Sequence, residues 1–277
     1  METRVYYAPN QSDLPHLAKR LRNNSVVKAF LRELNEVDVN DQTDEMAIYK
    51  ETLRRTQFLL ADKTYKMPSK ENGYWQAVMW VLCMVMCKLK ELDELREVKR
   101  YYAGSSFGEF WAITYDLYLR KEITIVKAVN LAYLRGIAMG NYHEGFAKII
   151  VPVAISEKIL KLAKEKNIIY GTFSRINSIF GVFGKKKDLQ GIADELNIDA
   201  YDSIPFHSEY LYTAGKEYSR NFDGFSMGDA VITDKEGTIS QQIHEGFYTN
   251  LNEIELLDAI QERIGKDLSL ERVLVRL

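Results

Sequence analysis

The hydrophobic and polar positions of this chain predict a succession of helices and short strands. The most apolar stretch, residues 74–87, is interrupted by a single glutamine, and its large side chains recur at steps of three and four residues. That spacing predicts a buried helix, which at about fourteen residues is too short to span a bilayer. A short strand is predicted just before Ser106, followed by a helix with Phe110, Ile113 and Leu117 on one face.

The segments on either side of this region continue the alternation of strands and helices. Because strand, helix, strand and helix follow one another, the order is typical of an α/β domain. The further predicted elements are a strand at residues 5–7, a helix from Leu14, helical segments within 25–66, a helix at about 125–139, a helix near 208–218, a strand at 229–233 and a final helix from Glu253.

Residues 146–206 show a different pattern, with two amphipathic helices placed among four short β-like segments. The order βαββαβ, complete within about sixty residues, is that of a ferredoxin-like unit. We therefore predict an α/β fold in which an α/β-hydrolase-like large domain, residues 1–142 and 207–277, carries an inserted ferredoxin-like small domain, residues 143–206.

Composition excludes several classes of function. The chain has 277 residues, of which 46% are hydrophobic and 27% charged, and its net charge is −2. These values are ordinary for a globular protein, and the balanced charge gives no reason to expect nucleic acid or a membrane as a partner. The first residues do not resemble a signal peptide.

The two cysteines, Cys83 and Cys87, lie one helical turn apart on the predicted buried helix. Two thiols without nearby histidines make a poor zinc site, and neighbouring turns of one helix seldom suit a disulfide. We interpret them as core residues in a reducing cytoplasm and expect no metal.

Residues 104–108 contain the motif G-x-S-x-G, with Ser106 at its centre. Glycines two residues before and after a serine allow a sharp turn from strand to helix, which exposes the hydroxyl as a nucleophile. The next backbone N–H, that of Phe107, then faces the same space and can stabilise an oxyanion. The alternative is an ordinary Gly/Ser turn before a helix.

A serine nucleophile needs a base, and the histidines available are His16, His143, His207 and His244. His207 is favoured because it lies where the inserted domain rejoins the large one, a usual place for a cleft. A purely structural histidine is the alternative. Several acids lie between Ser106 and His207, and none is marked by its neighbours as the orienting acid.

With these motifs the chain resembles the malonyl-CoA:acyl-carrier-protein transacylases, including the acyltransferases of polyketide synthases. Residues 104–109, G-S-S-F-G-E, are similar to the G-H-S-x-G-E box of that family. Four more landmarks follow the family's order over most of the chain: the loop at residues 6–12, Trp75-Gln76, Leu134-Arg135-Gly136, and Ile204-Pro205-Phe206-His207-Ser208. The family also contains a ferredoxin-like insertion.

The resemblance implies a serine acyltransferase. Ser106, activated by His207, attacks the thioester of malonyl-CoA, and the phosphopantetheine thiol of an acyl carrier protein then takes the malonyl group. The N–H groups of Phe107 and Asn10 form the oxyanion hole. No bound cofactor is implied, since the CoA thioester is a substrate.

The resemblance also assigns the substrate-binding residues. Arg135 holds the free carboxylate of malonate in a bidentate fork that lysine cannot reproduce, and Gln76 and Gln11 lie beside the substrate. Phe206, immediately before the histidine, is similar to the malonyl-selective form of the motif, in which a bulky ring leaves little room for an α-methyl branch. The alternative for Arg135 is a surface arginine.

Some positions depart from the family pattern and leave the acyl group open. Ser105 replaces the histidine beside the nucleophile, Asn10 replaces the loop glutamine, and Arg263 aligns with a C-terminal glutamine. We expect a discrete, trans-acting malonyltransferase of polyketide or fatty-acid biosynthesis. The alternatives are an acyl hydrolase that clears carrier proteins and a catalytically idle carrier-docking protein.

Overall fold

The computed structural model describes residues 2–9, 14–37, 43–61, 71–94, 97–140, 145–152, 154, 156–165, 171–174, 179–249 and 251–277. The protein is a mixed structure of helices and two sheets. It divides into two compact units. Unit 1 contains Met1–Ile137, Met227–Thr233 and Ile260–Leu277, and unit 2 contains Ala138–Ser226 and Asp234–Ala259.

The elements alternate along the chain as follows. The first part contains β1 (Glu2–Ala8), α1 (Leu14–Leu21), α2 (Ser25–Asn35), α3 (Asp44–Ala61), α4 (Asn72–Leu92), β2 (Val98–Gly104), α5 (Phe107–Leu119) and α6 (Ile125–Gly140). The middle part contains β3 (Phe146–Pro152), α7 (Ser156–Glu165), β4 (Gly171–Ser174), β5 (Ile179–Lys185), α8 (Lys186–Leu196) and β6 (Tyr201–Asp202). The last part contains α9 (Tyr212–Ser219), α10 (Ile239–Tyr248), β7 (Leu251–Asn252), α11 (Glu253–Ile264), α12 (Leu270–Val273) and β8 (Leu274–Arg276), with short 3₁₀ helices at Glu209–Leu211 and Arg220–Phe222.

A parallel sheet forms the centre of unit 1. β1 lies between β2 and β8 and pairs in parallel with both, from Glu2 opposite Val98 to Ala8 opposite Gly104 along β2. α5 packs against β1 and β2. Because Ser106 lies two residues after the last residue of β2, it lies at the carboxyl end of this strand, where open α/β sheets place their ligands.

The apolar segment predicted as a buried helix is α4, and this prediction is confirmed. Its residues from Gln76 to Cys87 are all buried, and it packs against α1, α2, α3 and α5. The indole Nε1 of Trp80 donates a hydrogen bond of 2.8 Å to Oγ1 of Thr114, which satisfies a polar group in the apolar contact between α4 and α5. Cys83 and Cys87 are core residues of this helix, as expected.

Unit 2 contains a five-stranded mixed sheet in the order β6-β3-β5-β4-β7. β3 pairs antiparallel with β5 and β6, β4 pairs antiparallel with β5, and β7 joins in parallel beside β4. One face of the sheet and helices α7 and α8 share a hydrophobic core: Ala147, Ile149, Val151, Ile159, Leu162, Val182, Leu189, Ile192 and Ala193. The strands and helices from β3 to β6 follow the predicted βαββαβ order.

Two predictions for the last part of the chain need correction. The strand expected at residues 229–233 is a single parallel bridge between Val231 and Tyr102, held by hydrogen bonds from Tyr102 N to Ala230 O and from Ile232 N to Tyr102 O. Helix α10 was not predicted. Its signal is a capping box, in which Thr238 accepts from the N–H of Gln241 and the Gln241 side chain accepts from the N–H of Thr238.

The helical prediction for residues 25–66 resolves into α2 and α3. Asn24 caps α2 through its side-chain oxygen, which accepts from the N–H groups of Val26 and Val27. Within the described ranges, no helix is both long and apolar enough to cross a membrane.

Candidate active site

Ser106 occupies a strained bend between β2 and α5. Its φ is 58° and its ψ is −109°, a combination that residues with a side chain rarely adopt. Such strain is found mostly at functional sites, where the surrounding structure enforces it. Ser106 is half-buried, whereas the residues from Phe107 to Leu117 are buried.

The two glycines of the motif are required by close backbone contacts. A Cβ atom on Gly104 would lie 2.6 Å from the carbonyl carbon of Gly108, and one on Gly108 would lie 2.5 Å from the carbonyl oxygen of Ala8. Neither backbone contact can move away without displacing β1 or α5. The G-x-S-x-G pattern is therefore the steric condition for this bend, and not an ordinary turn.

The backbone N–H groups that follow Ser106 form the positive end of α5. The N–H of Gly108 is already bound to Ser105 O at 2.9 Å, and that of Phe110 binds Ser106 O at 3.3 Å. Phe107 is the first residue of the helix, a position whose N–H has no acceptor within the helix. This geometry supports the prediction that Phe107 N–H stabilises an oxyanion on a group attached to Ser106.

Arg135 and Gln76 form a buried polar pair in the same unit as Ser106. Nη1 of Arg135 donates to Oε1 of Gln76 at 2.8 Å, and the two side chains are 3% and 0% exposed. The alternative interpretation of Arg135 as a surface arginine is therefore wrong. Gln76 is a neutral acceptor, so this hydrogen bond orients the guanidinium and leaves its positive charge in place.

Gly136 explains how α6 brings Arg135 to Gln76. A Cβ atom on Gly136 would lie 2.3 Å from the carbonyl oxygen of Asn72 and 2.6 Å from the Cα of Gly73. The amide of Asn72 donates to the carbonyl of Gly136 at 2.7 Å and closes this contact between the start of α4 and α6. The Arg-Gly pair is thus a packing unit. Asn72 was not identified from the sequence, since a single asparagine at a helix start carries no distinctive signal.

Phe110 connects the arginine to the serine. The guanidinium carbon of Arg135 lies 5.4 Å from the centre of the Phe110 ring, within the range of a cation–π contact. Phe110 lies one helical turn after Ser106 and donates its N–H to the Ser106 carbonyl. Ser106, Phe110, Arg135 and Gln76 therefore form a continuous set of contacts within unit 1.

Glu109, the last residue of the G-S-S-F-G-E segment, has a structural partner. It is buried and accepts a hydrogen bond of 2.8 Å from Oγ1 of Thr233. This contact ties the first turn of α5 to the segment that lies beside β2. The partner Thr233 was not predicted, because the two residues are far apart in sequence.

His207 lies in unit 2, in the loop after β6. It is 3% exposed and has a φ of 57°, the left-handed region that is uncommon for histidine. The loop is held by Ser208 Oγ, which donates to Pro205 O at 2.6 Å, and by Phe206 N, which donates to Ile204 O at 2.8 Å. The strained backbone and buried ring agree with a fixed functional position.

Phe206 packs within unit 2 against the sheet. Its ring meets the ring of Phe183 edge-on, with centroids 5.9 Å apart at an angle of 90°. The ring is half-buried. The contact limits the freedom of the side chain that precedes His207.

The remaining candidates occupy separate places. Asn10, Gln11 and His143 lie outside the described residues. His16 is exposed on α1. Nε2 of His244 lies 3.1 Å from the carbonyl oxygen of Tyr212, and Arg263 is an exposed residue whose Nη2 donates to the carbonyl of Asp229 at 2.9 Å.

The chain has the fold of the malonyl-CoA:acyl-carrier-protein transacylases. No family model matches the sequence, and no curated protein matches it significantly. Solved structures match over nearly the whole chain. The transacylase of Burkholderia pseudomallei is 16% identical with a TM-score of 0.67, over 100% of this chain and 92% of that chain. The corresponding values for the transacylase of Helicobacter pylori are 13%, 0.68, 95% and 85%.

A third match is a malonyl-transacylase solved in complex with the acyl-carrier protein of a type II polyketide synthase. It is 17% identical, has a TM-score of 0.67 and covers 100% of this chain and 95% of that chain. At such low identities the likeness concerns the fold.

Proposed function

We propose that this protein is an acyltransferase that moves a malonyl group, or a close relative, from CoA to the phosphopantetheine thiol of an acyl carrier protein. The observation that carries the proposal is the buried guanidinium of Arg135, held by Gln76 and connected through Phe110 to the strained Ser106. A buried cation that contacts the first turn of the helix after Ser106 suits an acyl group that ends in a carboxylate.

In the first half-reaction, Oγ of Ser106 attacks the thioester carbonyl carbon while His207 accepts the hydroxyl proton. The tetrahedral oxyanion is stabilised by the N–H of Phe107 at the positive end of α5, and the predicted second donor is the N–H of Asn10. The carbon–sulfur bond then breaks, and the CoA thiolate takes the proton from His207. The product is a malonyl ester on Ser106.

In the second half-reaction, the thiol of a phosphopantetheinylated carrier protein gives its proton to His207 and attacks the seryl ester. Collapse of the new tetrahedral intermediate returns the proton to Oγ of Ser106 and leaves a malonyl thioester on the carrier. Ping-pong kinetics follow from this order. The carrier is supported as acceptor by the matched transacylase that was solved with an acyl-carrier protein.

The bound malonyl group is recognised by its carboxylate in this proposal. Arg135 supplies two N–H donors in a fork, and Gln76 fixes the orientation of that fork. Gln11 is proposed to line the acyl pocket, and Phe206 to exclude a branch at the α carbon. No bound cofactor is needed, because the CoA thioester already activates the acyl group.

The proposed domain arrangement is an α/β-hydrolase-like large domain, residues 1–142 and 207–277, with a ferredoxin-like domain at residues 143–206. The compact units divide the chain differently, since residues 207–226 and 234–259 lie in unit 2. The βαββαβ order, the strand order β6-β3-β5-β4 and the separate hydrophobic core between the sheet and helices α7 and α8 support this assignment. A cytoplasmic location stays a prediction from the sequence.

The alternatives are weaker. An acyl hydrolase for uncharged chains would bury the Arg135 charge against apolar substrate, which is costly. An idle docking protein has no need for the strained serine, whose backbone conformation is destabilising by itself.

The proposal is tested by mixing the protein with malonyl-CoA and a carrier protein in its phosphopantetheinylated and apo forms. We expect the carrier mass to rise by one malonyl group in the phosphopantetheinylated form, and the apo form to stay unchanged. Release of free malonate in place of carrier malonylation would identify a hydrolase and contradict the proposal.

A further inference from the structure

The sheet of unit 2 has a second face, opposite the one that packs on α7 and α8. Along β3, Ala147 and Ile149 point into the helix-covered core, so Phe146 and Lys148 point to the other side. In the register of β3 with β5, Phe146 lies opposite Lys185 and Lys148 opposite Phe183. Cross-strand pairs share a face, so these four side chains form one surface, here called the second face.

Contacts made by the loop after β6 confirm this orientation. Tyr210 packs against Phe146 with centroids 4.8 Å apart, and Nζ of Lys185 lies 5.8 Å from the centre of the Tyr210 ring. Phe183 packs against Phe206, the neighbour of His207. The second face therefore supports the loop that carries the proposed catalytic base.

Two lysines lie on this face beside the aromatic rings. Lys148 and Lys185 are diagonal neighbours across the β3–β5 pair, a spacing of about 7–8 Å between backbones that lets two long side chains approach one group. Within the described part of the chain, no carboxylate forms an ion pair with either lysine. Lys185 is exposed, and Lys148 is half-buried.

The partial burial of Lys148 destabilises its charged form, and a bound anion would offset this effect. Burial lowers the pKa of its ammonium group below the ordinary value. An anion beside it would restore the lost electrostatic stabilisation.

We propose that Lys148 and Lys185 bind the phosphates of the CoA thioester, and so place the pantetheine arm near the loop of His207. This inference rests on the proposed function, because it names a binding site for its donor. The phosphoadenosine diphosphate of CoA carries several negative charges, whereas pantetheine alone carries none. The two ligands therefore isolate the part of the donor that the lysines recognise.

The test is the affinity of the unmodified protein for CoA and for pantetheine, measured by isothermal titration calorimetry. We expect CoA to bind at least about tenfold more tightly than pantetheine, since a charge-assisted contact changes affinity by about this factor. The double variant Lys148→Gln/Lys185→Gln should lose that difference and keep its affinity for pantetheine. Increasing salt should weaken CoA binding in the wild type and have little effect in the double variant.

The matched control is Lys161→Gln, an exposed lysine on α7 on the helix-covered side of the sheet. It should retain wild-type affinity for CoA. Lys185→Glu, which changes an exposed side chain and leaves the core intact, should weaken CoA binding further than Lys185→Gln does. Thermal unfolding of each variant identifies any loss of fold.

Three results would overturn the inference: unchanged CoA affinity in the double variant, an equal loss for pantetheine, or no preference for CoA in the wild type. Because CoA has no acyl group, the measurement is independent of catalysis. Loss of CoA binding in the double variant of a protein that fails to malonylate Ser106 would support the site and contradict the proposed function. Malonylation of Ser106 in the wild type, together with unchanged CoA affinity in the double variant, would support the proposed function and contradict the site.

Discussion

Arg135 donates a hydrogen bond to Gln76 across 2.8 Å, and both side chains are buried. The two residues lie on helices α6 and α4, which approach closely because Gly136 has no side chain. The result is a guanidinium with a fixed orientation beside the Phe110 ring. Its orientation is a property of the fold and does not depend on a bound substrate, which is the preorganisation that selective binding of a carboxylate needs.

Replacement of Arg135 should separate malonyl from acetyl transfer. We expect Arg135→Ala to lower kcat/KM for malonyl-CoA by a factor that corresponds to a loss of about 2–3 kcal/mol of transition-state stabilisation. The change for acetyl-CoA should be smaller. Arg135→Lys should recover little, because lysine lacks the fork. The measurement is initial rates with both thioesters, and Arg54→Ala on an exposed part of α3 is the control. An equal loss for both substrates would show that the residue does not bind the carboxylate.

Replacement of Gln76 tests whether the neutral amide orients Arg135 for the substrate carboxylate. In Gln76→Glu the new carboxylate should pair with the guanidinium and compete with the substrate, so we expect at least about a tenfold loss in kcat/KM for malonyl-CoA. Gln76→Met removes the acceptor without adding a charge and should cost less. The two variants are compared by steady-state kinetics at matched stability. If Met were as harmful as Glu, competition for the charge would not be the cause.

Gly136→Ala should destabilise the protein. The new Cβ would meet backbone atoms of Asn72 and Gly73 at 2.3 and 2.6 Å, and backbone cannot be displaced as a flexible side chain can. We expect a loss of about 3 kcal/mol in the free energy of unfolding. Gly265→Ala is the control: its φ is +91° and its surroundings are open, so the loss should be about 1 kcal/mol. Denaturant unfolding measures both, and equal losses would contradict the packing argument.

Glu51 gives unit 1 a stability that depends on pH. Hydrogen bonds from Arg54 and then Arg55 lower the pKa of its carboxyl from 4.5 to about 2. Since the folded pKa is the lower one, the stabilisation is present above about pH 4.5 and is lost as the pH falls towards 2. Glu51→Gln should therefore make the unfolding free energy less dependent on pH in this window, whereas Glu33→Gln on α2 should follow the parent profile. Identical profiles for Glu51→Gln and the parent would refute this role.

Local signals in the sequence were sufficient for much of this structure. The apolar run of α4, the bend at Ser106 and the βαββαβ order are written in short segments, because periodicity and glycine spacing act between near neighbours. The bridge at Val231 and helix α10 were not recovered correctly. The first depends on pairing with β2, far away in sequence, and the second on a capping box, which the hydrophobic pattern does not contain.

In the candidate site, too, local motifs were predictable from the sequence and contacts between distant residues were not. Ser106 and Arg135 were recognisable from their motifs, but the reason for the Arg-Gly pair was not. The contact of Gly136 with Asn72 and the hydrogen bond from Thr233 to Glu109 join residues that are distant in the chain. Such contacts are fixed by how helices pack, so no spacing rule in a single sequence reveals them.

The central claim is that the hydroxyl of Ser106 accepts a malonyl group. Intact-mass spectrometry after mixing with malonyl-CoA, followed by peptide mapping, measures this directly. We predict an increase of one malonyl group located on Ser106, absent in Ser106→Ala and retained in Ser105→Ala. A malonyl adduct that persists in Ser106→Ala, or none in the wild type, would contradict the account.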